Sequence, residues 1–160
     1  NGFSLVRKLI ESCGLNFHSP CPFDPTQKLG EVLLEPTVIY VKECLKLFKL
    51  EIVEALAHIT GGGLIENLPR VLDDNLKCKI DAASWKKVCP EIFQWIASLN
   101  TVPVEEMFRT FNCGIGMVLF VKEENVGQVL GLINNAMYIG EVVGRKNKEE
   151  EQIQIVGTPW

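Results

Sequence analysis

The segment Ala57-His58-Ile59-Thr60-Gly61-Gly62-Gly63 places three consecutive glycines between a short apolar run and a stretch carrying Leu64, Ile65, Leu68 and Leu72 at helical spacing. Glycine in regular structure costs about 1 kcal/mol relative to alanine, so three in a row call for a reason. Close approach of backbone to a ligand is one. A strand that runs through such a turn into a helix presents unpaired N–H groups and the positive end of the helix dipole, which suits a phosphate. Thr60 adds a hydroxyl donor. His58 alternates with Ile59 and so faces the opposite side of the strand. The turn lacks the Gly-Lys-Ser/Thr ending of a P-loop. By itself it fits a phosphate site or a plain tight turn, and His58 fits a catalyst or a hydrogen-bonded structural histidine.

A second constellation is Arg109-Thr110-Phe111-Asn112-Cys113-Gly114-Ile115-Gly116-Met117. Arg109 offers a planar fork of donors for phosphate or carboxylate. Asn112 can donate and accept at once. Gly114 and Gly116 permit a bulge or close backbone approach where the apolar run from Ile115 to Val121 begins. The alternative is a helix-to-strand turn with Asn112 as its cap. Cys113 has no base beside it in the sequence that would make it a nucleophile. Glu66, Glu105 and Glu106 could bind magnesium, but their spacing does not demand it and solvated helix faces explain them better.

The elements that must hold these residues follow from hydrophobic spacing. Val6, Leu9, Ile10 and Cys13 predict a helix over 3–13 that stops at Gly14. Three prolines make 18–25 a loop. Thr37 to Val41 suits a strand or an extended lead into a helix carrying Val41, Cys44, Leu45 and Phe48. The helix after the glycines should bend or stop at Pro69. Lys77 to Asp81 reads as a short edge strand. Pro90 and Pro103 each open a helix, and Ile115 to Val121 reads as a strand covered on both faces. A helix through Val126, Val129, Leu130 and Ile133 follows. Tyr138–Val143 and Gln152–Val156 then form a terminal hairpin around the charged turn 145–151. The alternation implies an α+β, α/β-like fold: a mixed β-sheet covered by helices in one domain over 1–160.

Composition narrows the function classes. The chain has 160 residues, 47% hydrophobic and 22% charged, with a net charge of -4. That balance is globular and gives no electrostatic reason to bind nucleic acid. No apolar run approaches the roughly 20 residues of a membrane span. The six cysteines contain no C-x-x-C pair, so reduced thiols are expected ahead of zinc or disulfides. The opening Asn1-Gly2-Phe3-Ser4 is not a secretory signal and contains no initiator Met. A cytosolic (cytoplasmic) chain that is a piece of something longer, or a processed product, is expected.

Four blocks, in order, resemble one family. They are Asn1-Gly2-Phe3-Ser4-Leu5-Val6-Arg7-Lys8; Leu34-Glu35-Pro36-Thr37 with Ile39-Tyr40-Val41; His58 to Gly63 with Glu66-Asn67-Leu68-Pro69-Arg70; and Phe108 to Met117. The chain is identified by them as resembling the C-terminal domain of aminoimidazole ribonucleotide synthetase, a phosphoribosylformylglycinamidine cyclo-ligase. The wording is similar to the animal form, part of a trifunctional purine-synthesis polypeptide. The resemblance implies conversion of formylglycinamidine ribonucleotide and ATP to aminoimidazole ribonucleotide, ADP and phosphate. The formyl oxygen is activated by phosphoryl transfer, and an amidine nitrogen then closes the ring, with Mg2+ on the ATP phosphates.

It further implies that ATP and Mg2+ are held mainly by an N-terminal domain outside this chain, and that the full enzyme is a homodimer. This chain would supply one wall of an interdomain cleft. Asn1, Gly2, Ser4, Thr60, Gly61, Gly62 and Gly63 would bind substrate there, with Arg109, Asn112 and Gly114 as neighbours and His58 as the candidate catalytic group. No metal ligand is implied on this chain. The alternative is a non-catalytic domain of the same fold that binds a phosphorylated ligand or supports assembly. Formylglycinamidine synthetase is the related enzyme that the blocks fit less well.

Overall fold

The computed structural model describes residues 1–160. Helix α1 (Phe3–Ser12) buries Val6, Leu9 and Ile10 on the face that the spacing selects. The proline-rich stretch expected to be a loop contains a small hairpin, β1 (Pro20–Cys21) with β2 (Asp24–Lys28). Its prolines Pro20 and Pro25 sit in a two-stranded pair whose outer edges need no N–H donor. Helices α2 (Leu29–Leu33) and α3 (Val41–Phe48) follow. Residues 35–40 form no strand and lead into α3 without regular secondary structure.

Strand β3 (Ala55–His58) runs into the glycines, then α4 (Gly63–Asn67) and a 3₁₀ turn (Leu68–Val71) that holds Pro69. Strand β4 (Leu76–Asp81) leads through a second 3₁₀ segment (Ala82–Val88) to α5 (Glu91–Ser98) and α6 (Val104–Thr110). Pro90 and Pro103 stand immediately before these two helices. Strand β5 (Met117–Phe120), α7 (Glu123–Leu132), β6 (Gly140–Gly144) and β7 (Ile153–Val156) complete the chain.

The architecture is α+β, with a mixed sheet and surrounding helices. Strands β3 and β5 pair antiparallel, from Ala55 opposite Phe120 to His58 opposite Met117. The mixed sheet has the order β6-β4-β7, with β6 antiparallel and β7 parallel to β4. Two expectations are corrected here. Strand β4 is central rather than an edge, and β6 and β7 straddle it instead of forming a hairpin. The connection over 145–152 must cross two strand spacings, about 10 Å. It is long enough, and it is tied to the end of β4 by an ion pair between Lys77 and Glu150 and by Arg145 Nη1 donating to the Asp74 carbonyl at 3.3 Å. Strand β5 is shorter than its apolar run, and only Val118 within it is buried.

Twenty-two buried residues form one core, among them Val6 and Leu9 of α1, Leu64 and Leu68, Trp85, Ile96, Met107, Phe108 and Phe111. A smaller cluster of Leu47, Ile52 and Val129 joins α3 to α7. All six cysteines are free, with Cys13 exposed, Cys44 half-buried and the other four buried. Burial pushes the Cys78 and Cys89 thiols up to about 11, and pushes Cys113 up further, with Cys89 beside it adding to the effect. A thiol-specific alkylating reagent at neutral pH should therefore modify Cys13 fast and Cys44 more slowly. The remaining four should react only on unfolding. Mass spectrometry over a labelling time course reads this directly, and early modification of Cys113 would refute it.

Candidate functional site

The glycine turn is shaped by one buried side chain. Asn67, at the end of α4, is 4% exposed and is the polar residue of the core. Its amide nitrogen donates to the carbonyls of Gly63 at 2.8 Å, Gly61 at 3.2 Å and, more weakly, Thr60 at 3.5 Å. The Thr60 hydroxyl lies 3.5 Å from its carbonyl oxygen. A trans peptide sets each C=O opposite the N–H of the next residue. Turning the Thr60 and Gly61 carbonyls toward Asn67 therefore turns the Gly61 and Gly62 amides away from the core. Those two amides find no acceptor within the chain. Successive outward amides form a small concave donor set, which suits an anion.

The three glycines have three separate reasons. Gly63 has φ +58, and a side chain on it would overlap the Phe108 carbonyl and lie 2.7 Å from that of Phe111. Its glycine is required by the packing of α4 on α6, not by a ligand. Gly62 has φ +96 and caps α4 in the left-handed region, where a side chain is strained. Gly61 is exposed, and a side chain there would meet only the Asn1 side chain, with Oδ1 at 3.5 Å. Only Gly61 is unconstrained by the protein itself. Helix α4 spans five residues, so the outward amides rather than a long helix dipole supply the positive character.

The other sequence-selected residues divide around this turn. Asn1 reaches Gly61, and Gly2 caps α1 against Thr110 and the Phe111 ring at the end of α6. The start of the chain, the glycine turn and the end of α6 thus meet at one corner. Arg109 belongs to it through Glu66, 3.4 Å away on α4, and also pairs with Glu105 at 2.9 Å. Both of its acidic partners are in place, so any anion must compete with them for the guanidinium. Ser4 is exposed on α1, and its hydroxyl makes no hydrogen bond within the chain.

Asn112 and Gly114 point elsewhere. The Asn112 side chain accepts from the Gly114 N–H at 3.0 Å and so caps the turn, the alternative that its sequence position left open. Gly114 fits against the Pro90 ring, and Trp85 Nε1 donates to the Cys113 carbonyl at 3.0 Å. These contacts hold the entrance to β5. His58 is exposed at the end of β3, edge-on to the Tyr40 ring at 6.2 Å between centroids. The Tyr40 hydroxyl lies against Gly116, whose carbonyl accepts from the Ile59 N–H at 2.9 Å.

Sequence reasoning gave Asn67 and Tyr40 no role. The available signal for Asn67 was a polar residue three positions after Leu64 and next to Leu68, on the face those leucines bury. No group of three or more His, Cys, Asp or Glu side chains gathers anywhere in the chain. Two clefts, one beside α1 and α2 and one between the ends of α5 and α6, share no residue with the glycine turn. No helix is long and apolar enough to cross a membrane.

Comparison with known proteins matches the sequence of this chain to a family. The family model described as AIR synthase related protein, C-terminal domain, matches residues 1–152. A phosphoribosylformylglycinamidine cyclo-ligase of Chromobacterium violaceum is 47% identical over 152 residues, covering 95% of this chain and 42% of that protein. A bifunctional purine biosynthetic protein of Saccharomyces cerevisiae is 43% identical, covering 95% of this chain and 18% of that protein. One from Dictyostelium discoideum is 43% identical, covering 98% and 20%. The chain therefore spans less than half the length of each of these relatives. With nearly all of its length matched by the family model, and with the glycine turn inside that match, the chain belongs to the AIR synthase related protein family through the C-terminal domain of that family.

Proposed function

We propose that this chain is the C-terminal half of an ATP-dependent cyclo-ligase that converts formylglycinamidine ribonucleotide to aminoimidazole ribonucleotide in purine biosynthesis. The observation that carries this reading is the corner where Asn1 and Gly2 meet the glycine turn, with two outward amides exposed beside them. Identity of 47% to a protein named for that reaction supports it. In this reading the Gly61 and Gly62 amides hold the substrate phosphate, with Asn1, Gly2, Ser4 and the Thr60 hydroxyl beside it. Gly63 and Asn67 keep the turn in shape, and Arg109 is a reserve cation released from Glu66 or Glu105 as the anion arrives. His58, exposed on the adjoining strand end, is the group placed to exchange a proton with substrate.

ATP and Mg2+ belong to the N-terminal domain in this proposal. The carboxylates of this chain do not fit a magnesium site, because Glu66 and Glu105 are engaged by Arg109 and no third ligand joins them. An N-terminal domain is also supported by the exposed apolar side chains of Val38, Ile39, Val41 and Leu45 close to Tyr40, since contiguous apolar surface of this kind is usually covered. We further read the complete protein as a cytosolic homodimer and as the animal trifunctional polypeptide, while the relatives reported above are fungal, protist and bacterial.

The reading is tested by joining the chain to an N-terminal cyclo-ligase half and measuring ADP and aminoimidazole product. Turnover is expected from the joined protein and not from this chain alone; a joined, folded protein with no product would refute the proposal. Gly61→Val is the sharper variant, because the fold leaves room for a side chain there. It should leave the unfolding free energy within about 0.5 kcal/mol of the parent. KM for the ribonucleotide should rise by about tenfold or more, as expected for loss of a hydrogen bond to a charged group. An unchanged KM would remove this turn from the substrate site. Tight ribonucleotide binding by the isolated chain would favour the non-catalytic alternative instead.

A further inference from the structure

A cleft on the flank of α1 shares no residue with the glycine turn. It has a volume of about 490 Å³ and runs between α1, the 16–19 turn and α2. Such a volume suits a small organic ligand. Its walls combine two chemistries. Phe3 and Phe17 stand at the mouth, 47% and 48% exposed, with Leu34 81% exposed beside them. Arg7, His18 and Lys28 line the same space, and none of them takes part in an ion pair. The acid present is Glu31, whose Oε2 accepts from the Lys28 N–H at 3.1 Å.

The walls are held before any ligand arrives. The Gly30 N–H donates to the Phe17 carbonyl and the Leu29 N–H to the Ser19 carbonyl, both at 2.9 Å. Asn16 Oδ1 accepts from the His18 N–H at 2.9 Å, and Ser19 Oγ accepts from the Asn16 N–H at 3.0 Å. Gly30 lies so close to Phe17 that a side chain there would sit 2.9 Å from the Phe17 carbonyl. A fixed cleft loses little entropy on binding, which raises the affinity that given contacts can reach.

We propose that this cleft is a second ligand site, which takes a phosphate monoester carried on a flat aromatic body. Two partly exposed phenyl rings favour a ring between or against them. Two permanent cations and a histidine, against one acid, favour a dianion over a single carboxylate. The site shares no residue with the glycine turn, so it stands or falls independently of the cyclo-ligase reading.

The experiment titrates the isotope-labelled chain with phenyl phosphate, inorganic phosphate and phenol, following amide chemical shifts. Saturable shifts are expected at Phe3, Arg7, Phe17, Lys28 and Gly30 with phenyl phosphate. Its affinity should exceed that of either half-ligand by about tenfold or more. Arg7→Gln and Lys28→Gln, both at exposed positions, should each weaken it by about tenfold, the loss of one charge-assisted hydrogen bond. Equal affinity for inorganic phosphate or for phenol would overturn the composite site. So would shifts confined to Gly61 and Gly62, or unaltered affinity in both variants with otherwise native spectra.

Discussion

Gly63→Ala should be among the most damaging single substitutions in this protein, lowering folding stability by about 3 kcal/mol or more. The added carbon would overlap the Phe108 carbonyl and crowd that of Phe111, and both are backbone atoms in the core. Neither can swing aside as a side-chain tip would. The left-handed φ of +58 adds strain of about 1–2 kcal/mol for any residue with a Cβ. Relief requires α4 to move off α6, which would open the contact around Leu64, Met107 and Phe108. Urea unfolding of the two proteins measures the difference. Gly61→Ala is the control and should change stability by no more than about 0.5 kcal/mol. Equal losses from both substitutions would show that the turn tolerates or rejects side chains for a reason other than this backbone contact.

This contrast bears on what was legible in the sequence. The triple glycine was visible as a feature needing an explanation, and its place between a strand and a helix was correct. The spacing of residues cannot say which glycine answers to a ligand and which to another part of the same chain. Gly63 answers to α6, some 45 residues later, and Gly61 alone remains free. The amphipathic helices were legible because burial of Val6, Leu9 and Ile10, or of Ile96, follows from a period that the sequence carries openly. The prolines at 90 and 103 marked the starts of two helices, although each stands one residue before the first helical position, with ψ 136 and 149.

Sheet order was less legible, and the reason is geometric. Lys77 and Lys79 alternate with Cys78 and Ile80, which reveals that one face of β4 meets solvent. Exposure of a face says nothing about hydrogen-bonded neighbours, which lie in the perpendicular direction. The edge position expected for Lys77 to Asp81 is therefore not something alternation can establish, and β4 has a partner on each side. In the same way β6 and β7 looked like a hairpin because they are adjacent in sequence, and the strand that separates them comes from 60 residues earlier. Thr37 to Tyr40 had the β-branched composition of a strand but found no ladder, as side-chain preference does not supply a pairing partner.

Corner and turn together suggest how binding chemistry and folding are divided in this domain. Residues that offer groups outward, such as Asn1, Ser4, His58 and Gly61, lie on the surface and contribute little to the core. Residues that set their directions, such as Gly63, Phe111 and Asn67, are buried and carry the packing. Substitutions in the first set should act on ligand affinity with stability preserved. Those in the second should act on stability first and on affinity as a consequence.

Asn67 is the position where the two effects should be separable. Asn67→Ala leaves the carbonyls of Thr60, Gly61 and Gly63 without their shared donor in a buried setting, and should cost about 2–3 kcal/mol of stability. Asn67→Asp keeps the size and removes only the two donor hydrogens. It also sets an acceptor against three carbonyl oxygens, so it should be worse than alanine at neutral pH. It should recover toward the alanine value as the pH falls and the new carboxyl takes a proton, since a protonated carboxyl can donate once. The sign follows from the environment: the carbonyl oxygens and burial disfavour the charged form, raise the folded-state pKa and make stability fall as pH rises through it. Unfolding measured from acid to neutral pH would show this slope in Asn67→Asp and not in Asn67→Ala. In the joined cyclo-ligase, under conditions where both variants remain folded, KM for the ribonucleotide should rise because the Gly61 and Gly62 amides lose their fixed outward direction. A variant that is destabilised but binds substrate as tightly as the parent would confine Asn67 to folding and detach the turn from the site.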